Sequence, residues 1–162
     1  MFTTERLHIE LLSFKDNSFI LELVNTPGWL EFIGNRNVYT SLDAQEYIQK
    51  ILDNKDYTYW VVKRNEDNVS IGLISLIKRD YLEYHDIGFA FLPSYTNLGY
   101  AYEATNEVIN NISQDKIYKI LLATTLPSNN SSIKLLSRLG FIFDKTIEVD
   151  DENLNLYIRK LD

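Results

Sequence analysis

Asp86-Ile87-Gly88-Phe89-Ala90-Phe91-Leu92-Pro93-Ser94-Tyr95-Thr96-Asn97-Leu98-Gly99-Tyr100-Ala101-Tyr102-Glu103-Ala104 constrains this chain more than any other stretch. An apolar run ends at Pro93, a short polar loop follows, and a helical pattern opens at Gly99. The first amides of a helix have no partner inside it, and the macrodipole places positive potential there. Strand, loop and helix start in that order therefore make an anion cradle. Gly99 and Ala101 carry little or no side chain, which lets a diphosphate approach the backbone.

With 162 residues, 45% hydrophobic and 24% charged, the chain reads as one folded domain spanning 1–162. The formal net charge is −7 and no Lys/Arg cluster stands out, which argues against nucleic-acid binding and favours cationic partners such as amines. There are no cysteines, which excludes disulfides and thiolate nucleophiles. His8 and His85 lie far apart, so no metal spacing exists. No signal-peptide pattern and no long apolar stretch appear, so a cytoplasmic protein without a membrane segment is expected.

Leu7, Ile9 and Leu11 alternate with polar residues as in a half-buried strand, with His8 on the polar phase. Asp16 can cap a short helix carrying Phe19, Ile20, Leu23 and Val24 on one face, and Asn25-Thr26-Pro27-Gly28 breaks it. Thr40 or Ser41 caps a second helix, with Ala44, Tyr47, Ile48, Ile51 and Leu52 inward; Asp43 and Glu46 complement its dipole. Tyr57–Arg64 and Val69–Lys78 read as a hairpin, and a further strand runs from His85 to Leu92. A helix from Gly99 to about Ser113 leads to an apolar strand, Lys119–Thr125, so this unit is a right-handed parallel crossover. A helix starting near Pro127–Ser132 ends at Gly140, and a hairpin around Asp150-Asp151-Glu152-Asn153 closes the chain.

Thr96-x-x-Gly99-x-Ala101 resembles the acetyl-coenzyme A loop, Gln/Arg-x-x-Gly-x-Gly/Ala, of the GNAT N-acetyltransferases. Thr96 replaces the usual Gln/Arg, and Asn97 stands where close relatives carry Gly. Asn129-x-x-Ser132-Ile133-Lys134-Leu135-Leu136-x-Arg138-Leu139-Gly140-Phe141 resembles the family's second block, in the right order and at the right separation. Thr4-Glu5-Arg6-Leu7-His8-Ile9 and Gly72–Asp80 resemble the RimJ/RimL-like branch, so the resemblance covers essentially the whole chain.

The resemblance implies an α+β fold: a mixed, mostly antiparallel sheet of about seven strands flanked by about four helices, with a splayed parallel strand pair. It implies acetyl-CoA as co-substrate, with the diphosphate on the amides of Asn97, Leu98, Gly99, Tyr100, Ala101 and Tyr102. The pantetheine arm would pair with the backbone of Phe89, Ala90, Phe91 and Leu92 where the strand separates from 119–125. Asp86 points toward that cleft as a candidate general base, while His85 points the other way. Many relatives use a tyrosine to protonate the leaving thiolate; Leu136 occupies that position here, and Ser132 matches the serine used in the RimL-like branch. Asn129 would orient the pantetheine or a water, and both residues also suit a helix cap. Trp29 and Phe32 border the implied acceptor site, or belong to the core.

The implied activity is direct acetyl transfer to a primary amine, a protein N-terminus or a small molecule, without a covalent acyl-enzyme. The alternative is a non-catalytic acyl-CoA sensor or interaction domain on the same fold. Either would act as a monomer or homodimer, with no metal.

Overall fold

Alternating burial along Leu7–Leu11 and near-continuous burial along Ser70–Ile77 mark an outer and a central strand of one sheet. The computed structural model describes residues 1–161. Its strands are β1 (Phe2–Thr3), β2 (Leu7–Leu11), β3 (Tyr57–Arg64), β4 (Ser70–Ile77), β5 (Asp86–Phe91), β6 (Ile120–Thr125), β7 (Ile142–Val149) and β8 (Glu152–Lys160). The helices are α1 (Asn17–Leu23), α2 (Pro27–Phe32), α3 (Ser41–Leu52), α4 (Tyr100–Ser113) and α5 (Asn130–Arg138). The sheet order is β1-β2-β3-β4-β5-β6-β8-β7, and β5–β6 is its one parallel pair among the described residues.

Two cores sandwich the sheet. On one face Ile74, Leu76 and Ile87 pack with Val108 and Ile109 of α4 and Leu136 of α5. On the other, Val61 and Leu73 pack with Ile20 and Leu23 of α1 and Ala44 and Ile48 of α3. Helices on both faces are what allow the central strands to be apolar on both sides.

The expected mixed fold is present, with one more strand and one more helix than expected. Two-residue β1 pairs with β2 through Phe2↔Ile9 and Thr3↔His8. Pro27-Gly28 ends α1 but also begins α2, because Thr26 accepts from the Trp29 amide and Pro27 sits in the first turn, where its missing N–H costs nothing. Asp16 makes no capping bond to α1; its carboxylate takes the Ser13 amide (2.9 Å) and lies 3.4 Å from Lys63 Nζ. Thr40 and Asp43 form the reciprocal cap of α3. Among the described residues no helix is long and apolar enough to cross a membrane.

Candidate functional site: a strand fork, an anion mouth and a hollow

β5 treats its two neighbours differently. Along β4 it pairs continuously, from Gly72↔Phe91 to Ile77↔Asp86. Along β6 the only register pair among the described residues is Asp86↔Leu122, closed by the Leu122 amide on His85 O at 2.9 Å. Beyond that point the strands part.

The phase of β5 follows from two bonds. The Leu92 amide reaches Ile71 O on the β4 side (2.9 Å), and His85 O accepts from β6. Backbone groups alternate sides along a strand, so Ala90 and Leu92 are engaged with β4. Phe89 and Phe91 turn theirs into the gap. The four-residue backbone surface expected from sequence therefore narrows to two residues whose main chain is open, with Ala90 and Leu92 flanking them.

At the outer end of the gap, a turn over Pro93–Tyr95 leads to a loop in which Asn97 (φ 60°) and Gly99 (φ 84°) are left-handed. Asparagine is among the few side chains that tolerate this region, so Asn97 can replace a glycine. Gly99 caps α4, and among the described residues none of the amides from Asn97 to Tyr102 finds an acceptor in the chain. Those amides and the α4 dipole make an anion mouth. Thr96 folds its hydroxyl back onto Pro93 O (2.8 Å), bracing the loop from within.

Sequence reasoning missed what holds this mouth from behind. Arg6 donates to Leu98 O (3.0 Å), stacks 4.4 Å from the Tyr100 ring centre and pairs with Glu103 (2.6 Å). Thr4 Oγ1 donates to the same carboxylate at 2.6 Å. Burial pushes the Glu103 carboxyl up, but the Thr4 hydroxyl and Arg6 outweigh it and hold the pKa below the usual value. Arg138 lies 4.5 Å from the Tyr102 ring centre across from α5. No local pattern ties Arg6 to Leu98 or Glu103; only the fold does.

Across the gap, α5 begins with Asn129 as its cap: Oδ1 accepts from the Ser132 amide at 3.2 Å. Ser132 is half-buried, and its hydroxyl has no hydrogen-bond partner among the described residues. Leu136, where a tyrosine could have stood, is buried.

The opposite face of β5 carries a hollow. Register aligns Tyr59, Ser75 and Gly88 in one row across β3, β4 and β5. Ser75 and Gly88 are central-strand residues, yet both keep contact with solvent, while Ile77, Asp86 and Leu73 in the adjoining rows are buried. A Cβ on Gly88 would lie 2.7 Å from Ser75 Oγ. The row is thus open because its two middle residues are small.

Tyr47 of α3 and Tyr59 pack against the core on this face; Arg79 follows β4, and Arg36 in the α2–α3 loop is exposed. Arg36 lies close enough to Tyr47 to oppose the burial that pushes the phenol's pKa up. Burial likewise pushes Tyr59 up, with Arg79 and Arg36 opposing weakly. Both phenols stay neutral donors.

Asp86 sits at the fork on this face. It is 3% exposed and ion-paired with Arg79 Nε. Burial pushes its pKa up; Arg79 and the Thr124 amide of β6 oppose that. In a continued parallel ladder the Thr124 amide would serve β5 backbone, so a carboxylate facing it helps end the pairing. His85 turns away and meets Tyr118 edge-on at 5.1 Å; burial, then Lys78, lowers its pKa.

Trp29 is buried in the α1/α3 core with its indole N–H on Gly34 O (3.1 Å). The Arg36 guanidinium lies 5.9 Å from its ring centre. Phe32 is half-buried on the same short helix. Arg36, Tyr47, Tyr59, Ser75 and Arg79 were not singled out from sequence, because register and loop placement bring them together.

Comparison with known proteins gives a match of residues 6–142 to the family model described as acetyltransferase (GNAT) domain. An uncharacterized N-acetyltransferase, YnaD, of Bacillus subtilis (strain 168) is 29% identical over 138 residues, covering 85% of this chain and 80% of that protein. The crystal structure of a ribosomal-protein-S5-alanine acetyltransferase from Vibrio fischeri superposes with a TM-score of 0.83 at 19% identity, covering 99% of this chain and 96% of the other. A spermidine N-acetyltransferase from Vibrio cholerae, in complex with CoA and spermine, superposes with a TM-score of 0.82 at 15% identity over 98% and 97% of the two chains. At these identities the two superpositions establish the shared fold.

Proposed function

We propose, from the premise that this chain belongs to the acetyltransferase (GNAT) family, that its fork receives acetyl-coenzyme A and its hollow presents a primary amine to the acetyl carbon. The chain is an N-acetyltransferase. The reading is carried by one observation: β5 leaves β6 just after Asp86, so main-chain amides face an open gap whose outer end is a helix N-terminus.

The diphosphate would lie on the amides of Asn97–Tyr102, where Gly99 lets it come close. The pantetheine amides would take the backbone groups of Phe89 and Phe91, as an added strand does. A buried amide left unpaired costs about 1–3 kcal/mol, so a ligand that satisfies those groups is favoured there. One such N–H would polarise the thioester carbonyl, a contribution of about 3–4 kcal/mol when the donor is pre-oriented.

The nucleophilic nitrogen must be neutral. Asp86 borders the hollow, and its raised pKa brings it closer to the range of a useful base; it would take the amine proton through a water. The nitrogen–carbon bond then forms and the carbon–sulfur bond breaks. The Ser132 hydroxyl, free of intramolecular partners, would donate to the departing sulfur, with Asn129 fixing the first turn of α5. Aligning both substrates can by itself remove about 7–11 kcal/mol of barrier. Transfer would be direct: the sequence holds no cysteine and no serine–histidine pair in a nucleophile elbow.

A place in the RimJ/RimL-like branch is supported by the opening residues Thr4–Ile9 and by the likeness to the S5-alanine acetyltransferase fold. The test is incubation with acetyl-CoA and a panel of amines, read by thiol release and by melting temperature. A CoA-induced rise in melting temperature with amine-dependent thiol release is expected. Neither effect occurring would overturn the reading, and a shift without turnover would establish the sensor instead.

A further inference from the structure

β7 pairs with β8 alone and forms one edge of the sheet. Ile142 is 71% exposed and Phe143 51%, and neither lies in the cores on the two faces. Long exposed edges invite pairing and are commonly guarded by proline, lysine or a bulge. β7 has no proline. It does have a bulge and Lys145, and both fit a second copy of the same strand.

The Leu161 amide on Lys119 O, at 2.8 Å, sets the phase of β8 on its β6 side. Backbone groups alternate sides along a strand. Ile158, Leu156 and Leu154 therefore turn theirs to β7, where they face Ile142, Lys145 and Ile147. From Ile158 to Leu156 β8 takes two steps while β7 takes three, because Asp144 is bulged. With Ile142, Lys145 and Ile147 engaged, Phe143 ahead of the bulge and Thr146 beyond it turn their backbone groups outward. In an unbulged strand those two residues would face opposite ways.

We propose that β7 is the seam of a homodimer, in which a second copy of this chain pairs antiparallel across a two-fold axis passing between Asp144 and Lys145. That axis sets Phe143 against the partner's Thr146, both with free backbone groups, so the two exchange ladder hydrogen bonds. It sets Ile142 against the partner's Ile147, both turned inward, the pairing in which side chains come closest. It also sets Asp144 against the partner's Lys145. Both residues are exposed, and neither has an ion-pair partner in its own chain among the described residues. Each contact occurs twice by symmetry.

Sliding the copies by one residue sets Asp144 against the partner's Asp144, or Lys145 against the partner's Lys145. The same slide brings free backbone groups against engaged ones, so the register is specified. At the far edge of the sheet β1 has two residues. A strand that short offers no second seam, and assembly closes at two copies.

The experiment is sedimentation of the full chain from about 1 to 500 μM. A seam over residues 142–147 is smaller than a standard interface, so a micromolar dissociation constant is expected. Lys145→Asp and Asp144→Lys each turn two attractions into two repulsions and should weaken the dimer about 10- to 100-fold. The double exchange, Asp144→Lys with Lys145→Asp, should restore it. Far-ultraviolet spectra and melting temperatures check that the variants fold. Hydrogen exchange on wild type gives a measurement free of variants: the amides of Phe143 and Thr146 should slow as concentration rises. A wild type that stays monomeric throughout, or a dimer indifferent to the single reversals, overturns the proposal. So does a folded double exchange that remains monomeric, or exchange at Phe143 and Thr146 that ignores concentration.

Discussion

The two sides of β5 carry the same residues to opposite ends. Toward β4 the strand is closed from Asp86 to Phe91, paired as a central strand is. Toward β6 it is closed at Asp86 alone and open beyond. The closed side supplies rigidity, and the open side supplies unpaired main-chain groups that a ligand can meet. The proposed donor site lies where the sheet withholds its own hydrogen bonds, beside a seam that does not.

Breaking the fork itself should have the largest effect. Asp86→Asn is expected to lower kcat by about 10²–10⁴-fold, the range for losing a positioned base, while CoA still raises the melting temperature. It should also cost about 3 kcal/mol of stability through the lost partner of Arg79, measured by denaturant melts. Unchanged kcat in the folded fraction would reduce Asp86 to a brace between the strands.

Gly99→Ala acts on the open side only. A side chain in the left-handed region costs about 1–2 kcal/mol, and its Cβ would lie 3.2 Å from Arg6. CoA binding by calorimetry should weaken about tenfold, with the closed seam and the far-ultraviolet spectrum unaltered. Equal affinity would mean that the mouth does not hold the diphosphate.

The smallest effect sharpens how α4 is tied down behind the mouth. Glu103→Gln should cost about 1 kcal/mol, as expected for a partly exposed pair. Because the Glu103 pKa is lowered in the folded state from its ordinary 4.5, its contribution is present above that value and is lost as pH falls through the folded-state pKa. The stability difference between wild type and Glu103→Gln should therefore be full at neutral pH and shrink below pH 4.5. A difference that grows in acid would contradict the assignment.

Much of the candidate donor site is legible from residues in a row. The run into Pro93, Gly99 at the helix start, and Asn129 with Ser132 three residues later are local patterns. Local steric and capping rules act within a few residues of the chain. The reading erred or stopped where a partner comes from elsewhere. Asp16 suits a helix cap by its place in the chain, but Ser13 and Lys63 claim its carboxylate. Thr96 departs from the family's pattern, and only its bond to Pro93 O shows how the loop accommodates it.

Sequence alone determined the order of strands and helices apart from β1 and α2, the crossover that makes β5 and β6 parallel, and the glycine that opens α4, because periodicity, turn chemistry and handedness are properties of short segments. Tertiary structure decided where β5 parts from β6, which amides remain free, and that Ser75 meets Gly88. Register between strands and the placement of a loop over a sheet are settled by packing among distant residues. A list of neighbours along the chain carries no record of them.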